Sequence, residues 1–141
     1  MKLITRLYSL FIAKVTWLSP LLLLVLRVWM ARVFFISGLT KIRDFDNAVA
    51  LFADEYQVPI LPPELAAVMG TLFELSCPVL LVLGFATRLA TLPLLAMTAV
   101  IYLTYDQGIE VLYWGMLLAT ILSVGPGMLS VDQVIKRRMT R

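Results

Sequence analysis

Histidine is absent from this 141-residue chain, and cysteine occurs once. The first absence excludes every histidine-ligated haem, copper or zinc site. The second excludes an internal disulfide, and a lone thiol cannot run dithiol chemistry by itself. Charge is scarce as well, at 15% of residues, against roughly 25% in an average soluble chain. In its place 61% of residues are hydrophobic and the mean hydropathy is +0.93. So few polar side chains cannot cover a soluble globule, and the same shortage argues against disorder. The sequence carries no phosphate loop, nucleophile triad or metal-ligand cluster, and nothing in its net charge of +3 points to nucleic acid.

What the chain does have is long apolar runs. Crossing about 30 Å of hydrocarbon takes about 20 apolar residues. Four segments meet that test, at about 20–40, 65–85, 89–105 and 109–124. Trp17, Tyr105, Tyr113 and Trp114 fall near the expected interfaces. The expected fold is an all-α membrane protein, a four-transmembrane-helix bundle forming one domain over 1–141. Lys2, Arg6, Lys14, Arg88, Lys136, Arg137, Arg138 and Arg141 fall on one side of the bilayer, with Asp132 the acid among them. Lys41 and Arg43 fall on the other, among seven acids. The positive-inside rule then places both termini in the cytoplasm and the 41–64 connection outside.

The N-terminal arm starts basic, like a signal peptide, but Lys14 interrupts its apolar core and no small-x-small cleavage site precedes Pro20. On a helical wheel Lys2, Thr5, Arg6, Ser9, Ala13 and Thr16 share one face, with Leu3, Leu7, Leu10, Phe11 and Leu18 opposite. That pattern predicts an N-terminal amphipathic interfacial helix. In the outward connection, Phe45, Val49, Phe52 and Tyr56 recur at helical spacing and predict a short helix over 44–56. An extended run from Gln57 to Pro63 should follow, containing three prolines. Ser130 to Gln133 matches a capping box, which predicts a short basic helix at the C-terminal end.

The ionisable residues inside the spans are the informative ones. Each central arginine costs about 2.5–3.5 kcal/mol, and each Leu, Ile, Phe or Val returns about 0.3–0.6. Twelve such apolar residues lie between Pro20 and Thr40 beside Arg27 and Arg32, so the segment sits near break-even alone. It needs internal partners, and Glu74 is the acid at comparable depth, within reach of either arginine on an antiparallel neighbour. Arg27, Ala31, Phe34, Gly38 and Lys41 share a face of span 1, and Gly70, Glu74, Cys77, Leu81 and Gly84 share one of span 2. Thr91, Thr98, Tyr102 and Tyr105 share one of span 3, and Tyr113 and Thr120 one of span 4. The candidate polar cluster is therefore Arg27, Arg32, Glu74 and Lys41, with Tyr102, Tyr105, Tyr113 and Trp114 as candidate ligand lining. One reading makes the cluster a structural ion-pair network; the other makes it a polar ligand or proton site. A polar-headed amphiphile, with its head near Arg27 and Arg32, would suit the surplus positive charge. Cys77 reads as a small core residue.

These residues carry a resemblance. LRVWMARVFFISGLTKI (26–42), FELSCPVLLVLGFATRLATL (73–92) and GPGMLSVD (125–132) resemble the DoxX family of small bacterial four-helix membrane proteins. Arg27, Arg32, Gly38, Lys41, Glu74, Gly84, Arg88 and Asp132 sit at the positions that carry the likeness. The resemblance implies a multi-pass protein of the bacterial inner membrane with a redox neighbourhood, since the family name comes from small subunits linked to quinol oxidation and thiosulfate:quinone oxidoreductase. An accessory subunit beside a redox or quinone-linked membrane partner is the first expectation, without intrinsic cofactor or metal and with no independent enzymatic activity. The alternatives are an oxidoreductase component binding a quinone or lipid, and a small transporter or lipid-binding module using the bundle interior. The sequence leaves homo-oligomerisation open.

Overall fold

The computed structural model describes residues 2–56, 58 and 61–140, the side chains of residues 2–5 and Ala13 excepted. All regular structure among them is helical. α1 spans Lys2–Arg43, α2 Phe45–Leu51, α3 Pro63–Leu83, α4 Thr87–Thr104, α5 Ile109–Val124 and α6 Val131–Met139. A π-helical turn, Phe52–Tyr56, continues α2. α1, α3 and α4 are long and apolar enough to cross a membrane, and α5 is a shorter apolar helix of 16 residues. α1 packs on α3, α3 on α4, α4 on α5, and α5 returns to α1, closing a four-helix bundle. The chain is an all-α membrane protein.

α1 joins the amphipathic arm and the first span into one 42-residue helix. At 1.5 Å per residue it is about 63 Å long, twice the hydrocarbon thickness. Pro20 lies inside it without ending it. Proline has no N–H for the carbonyl four residues back. Here Ser19 Oγ donates to that carbonyl, Thr16 O, at 2.8 Å. The serine beside the proline thus supplies a replacement bond, and the helix passes through.

The core follows the expected small-or-polar faces on the first two spans; on the third, Thr91 and Thr98 are buried while Tyr102 is half-buried and Tyr105 exposed. Arg27, Ala31, Phe34, Gly38 and Lys41 are all buried, as are Gly70, Glu74, Cys77, Leu81 and Gly84. Gly38 lets α1 close on α3: a Cβ there would stand 3.0 Å from the Glu74 Cβ. Thr91 and Thr98 are buried on α4, their hydroxyls donating to Thr87 O at 2.7 Å and Leu94 O at 2.8 Å. The expected face of the fourth span is wrong. Tyr113 and Thr120 are exposed, and Val111, Leu118 and Ile121 point inward instead. α5 is apolar all round, so polarity does not mark its inner face. Thr120 Oγ1 bonds Met116 O at 2.8 Å within its own helix and gains nothing by turning inward.

α2 starts where expected, capped by Asp44, whose carboxylate accepts from Asn47 N–H at 3.2 Å. In the extended run expected from Gln57 to Pro63, residues 57, 59 and 60 lie outside the described residues; Pro62 is extended, at φ −58° and ψ 142°, and Pro63 already belongs to α3. α3 begins with Pro63 at its first position, where the missing N–H costs nothing. It ends at Gly84, in the left-handed conformation at φ +67°, with Phe85 N–H bonding Leu80 O at 3.0 Å.

A candidate functional site at two ends of one helix

The structure separates the four residues expected to cluster. Glu74 meets neither arginine. Its partner is Lys41, one turn beyond Gly38 on α1. Lys41 Nζ donates to both Glu74 oxygens at 2.7 Å and to Ser37 Oγ at 2.9 Å. Ser37 Oγ in turn donates to Glu74 Oε1 at 3.3 Å. An ammonium has three N–H donors, and all three are used. Both side chains are buried, at 9% and 1% exposure. Sequence reasoning passed over this pair because Lys41 lies near the end of span 1, where a lysine normally snorkels to water. Here the stem runs back toward the bundle centre, and the i, i+4 spacing of Ser37 and Lys41 was the legible signal.

Above the pair lies a vestibule of about 330 Å³, lined in part by Ser37, Thr40, Lys41, Asp44, Asn47 and Tyr56. It joins the buried ion pair to the 41–64 connection. Tyr56 also borders a second, apolar cavity of about 210 Å³ between α3, α4 and the π turn, with Phe52, Gly70, Phe73 and Met97 among its walls. Gly70 admits the Phe52 ring, whose tip would stand 2.8 Å from a Cβ added there. The Tyr56 ring stacks edge-on against Phe52 and Tyr105, with centroids 5.0 and 5.6 Å away. Burial pushes the Tyr56 phenol up to about 12, and the charges of Glu74, Tyr105 and Glu55 add to the shift. It remains a neutral donor at any physiological pH.

The opposite end belongs to Arg27. This guanidinium is fully buried, yet its partners are backbone carbonyls: Leu81 O at 3.3 Å and Leu129 O. It thereby ties α1 to the last turn of α3 and to the segment before α6. Gly84 is required here, because a Cβ would overlap the Arg27 guanidinium and Ser130. Asp132 completes the joint. Its carboxylate accepts from Ala86 N–H at 2.8 Å and Thr87 N–H at 3.1 Å, capping α4 from 46 residues away. Its own N–H donates to Gly84 O at 3.0 Å. Ser130 caps α6 as expected, accepting from Gln133 N–H at 3.2 Å.

Arg32 belongs to neither end. It is exposed on the outer face of α1 and borders a groove with Pro78 and Val79 of α3. Of the expected aromatic lining, Tyr113 and Trp114 border one groove between α1 and α5, and Tyr102 and Tyr105 do not join them. Tyr105 packs on Tyr56, Trp114 packs edge-on against Phe34 with centroids 6.3 Å apart, and Tyr113 is exposed. Tyr102 is half-buried and lines none of the cavities described. Cys77 is buried in the core, as expected.

Comparison with known proteins covers most of this architecture. The DoxX family model matches residues 22–107, from the start of span 1 to just before α5. The inner membrane protein YphA of Escherichia coli strain K12 is 36% identical over 114 residues, which is 79% of this chain and 71% of the relative. No solved structure matches.

Proposed function

Because the chain belongs to the DoxX family, we propose that it is an inner-membrane subunit accessory to a redox or quinone-linked membrane complex. The observation that carries this reading is the arm. Every described side chain from Arg6 to Ser19 is exposed, and the first buried residue of α1 is Leu23. About four turns of helix thus extend from the bundle without packing on it, with Leu7, Leu10, Phe11 and Leu18 bare on one side. A helix in that state covers its apolar side with lipid or with another protein. The interior supports the same reading. Lys41 and Glu74 satisfy each other, as a fixture of the bundle does. With the basic arm and tail cytoplasmic, the acidic 41–64 connection and its vestibule face outward.

The test is purification of the full chain in mild detergent, with quantitative mass spectrometry of proteins and quinones. A flavin-, haem- or quinone-bearing membrane enzyme should co-purify near 1:1. Replacing Phe11 and Leu18 with Gln should lower its yield tenfold while the bundle's melting temperature holds. A chain that purifies alone, or whose partners ignore the arm variant, overturns the subunit reading. The apolar cavity that Tyr56 borders favours a second reading, a component that binds a quinone ring there. Organic extraction would then recover quinone from the wild type and less from Gly70→Leu.

A further inference from the structure

Arg32 is the one ionisable side chain of span 1 that makes no hydrogen bond or ion pair among the described residues. Arg27 has its carbonyls and Lys41 its carboxylate. Arg32 is exposed. A guanidinium facing hydrocarbon alone is costly and needs a partner or a route to the interface. Its depth follows from the helix. Arg32 lies five residues past Arg27, so its Cα is about 7.5 Å deeper than the joint where Arg27 binds Leu81 O. Side chains on a helix lean toward its N-terminus, here back toward that same end. Arg32 can therefore snorkel to the headgroup level on the side where Arg27 sits.

Beside it runs a groove of about 360 Å³ between α1 and α3, walled by Val28, Phe35, Pro78, Val79 and Val82. Apart from Arg32, those walls are apolar. A cation bordering an apolar groove, with a side chain that leans toward the membrane surface, is complementary to an amphiphile with an anionic head. The same end of the molecule carries Arg88, Lys136, Arg137 and Arg138, and its acid, Asp132, is committed to capping α4. We propose that Arg32 and this groove form a binding site for an anionic phospholipid, the guanidinium holding the phosphodiester and one acyl chain lying between α1 and α3. Arginine suits the role because its planar fork can donate two parallel bonds to phosphate oxygens.

The experiment places the full chain in nanodiscs of phosphatidylcholine containing phosphatidylglycerol, then releases it into the gas phase for native mass spectrometry. Wild-type protein should retain one phosphatidylglycerol per chain. Arg32→Leu should lower that retention at least tenfold, and Arg32→Lys should keep part of it. Val79→Trp fills the groove with the charge intact and should also lower retention. All three substitutions fall on an outer face, and an unchanged melting temperature shows that the bundle is intact. Equal retention in wild type and Arg32→Leu overturns the site. So does equal retention of phosphatidylcholine, or a dimer whose subunits cross-link through cysteine placed at position 79 on a Cys77→Ala background.

Discussion

The bundle-forming half of α1 buries a cation at each of two levels, and satisfies them by opposite means. Near the C-terminal end of α1, Lys41 meets a carboxylate, with both partners on adjacent transmembrane helices. At the other level, Arg27 meets two backbone carbonyls, Leu81 O in the last turn of α3 and Leu129 O in the segment before α6. The difference follows from what each cation can reach. Terminal carbonyls of a helix have no intrahelical donor and carry the negative end of the helix dipole. In α3's last turn Leu81 O accepts from both Gly84 N–H and the Arg27 guanidinium, whose five donors can reach more than one carbonyl. Opposite the middle of α3 Lys41 instead has a carboxylate within reach, that of Glu74. A buried cation in a bundle therefore need not be hydrogen-bonded to a counter-charge.

The largest test of that contrast is at Glu74. Removing one partner of a buried pair costs roughly 3–5 kcal/mol, because the other charge stays behind. Glu74→Ala should lower the melting temperature in detergent far more than Glu110→Ala on the exposed start of α5, with Glu74→Gln in between. The double variant Lys41→Met/Glu74→Leu removes both charges and should recover most of the loss. If the double variant is as unstable as Glu74→Ala, the pair is not what makes Glu74 indispensable.

A smaller effect is expected where the Arg27 level depends on Asp132. Its carboxylate is a helix cap supplied from a distant segment, and losing a cap costs about 1–2 kcal/mol. Asp132→Ala should also free α6. Hydrogen exchange should quicken at Ala86, Thr87 and across 131–139, while residues 37–41 stay protected. Loss of protection at both levels of α1 would show that they do not act independently.

The smallest effect is stabilising. Ala86, at the start of α4, holds φ +46°, a conformation that favours glycine. Ala86→Gly relieves that strain and should raise stability by about 0.5–1 kcal/mol. A fall in melting temperature would mean that the Ala86 methyl contributes packing that outweighs the strain.

Some of the site was legible and some was not. The DoxX resemblance, the inward faces of the first two spans and the inward threonines of the third followed from residue types at helical spacing. The buried positions of Glu74, Arg27 and Lys41 followed from the same wheels, but their partners did not. Charge counting pairs Glu74 with an arginine, yet Lys41 takes it, because Gly38 lets α1 close on α3 at that level and Ser37 holds the ammonium in place. Arg32 looked like a member of the cluster because depth is readable from position. Its direction depends on which face of α1 meets α3. The α5 face was misread because an all-apolar helix has no polarity contrast to reveal its inner side.

The sequence by itself determined that this is a membrane protein, how many apolar helices it has and that Ser130 caps the last helix. Hydropathy, proline, glycine and capping signals act over a few residues, and so can be read along the chain. Only the tertiary structure decided which groups satisfy the buried charges and that Asp132 caps α4. Those outcomes rest on atoms brought together from up to 102 residues apart, as at Arg27 and Leu129. A hydrogen bond is decided within a few tenths of an ångström, a scale that only the packed helices fix.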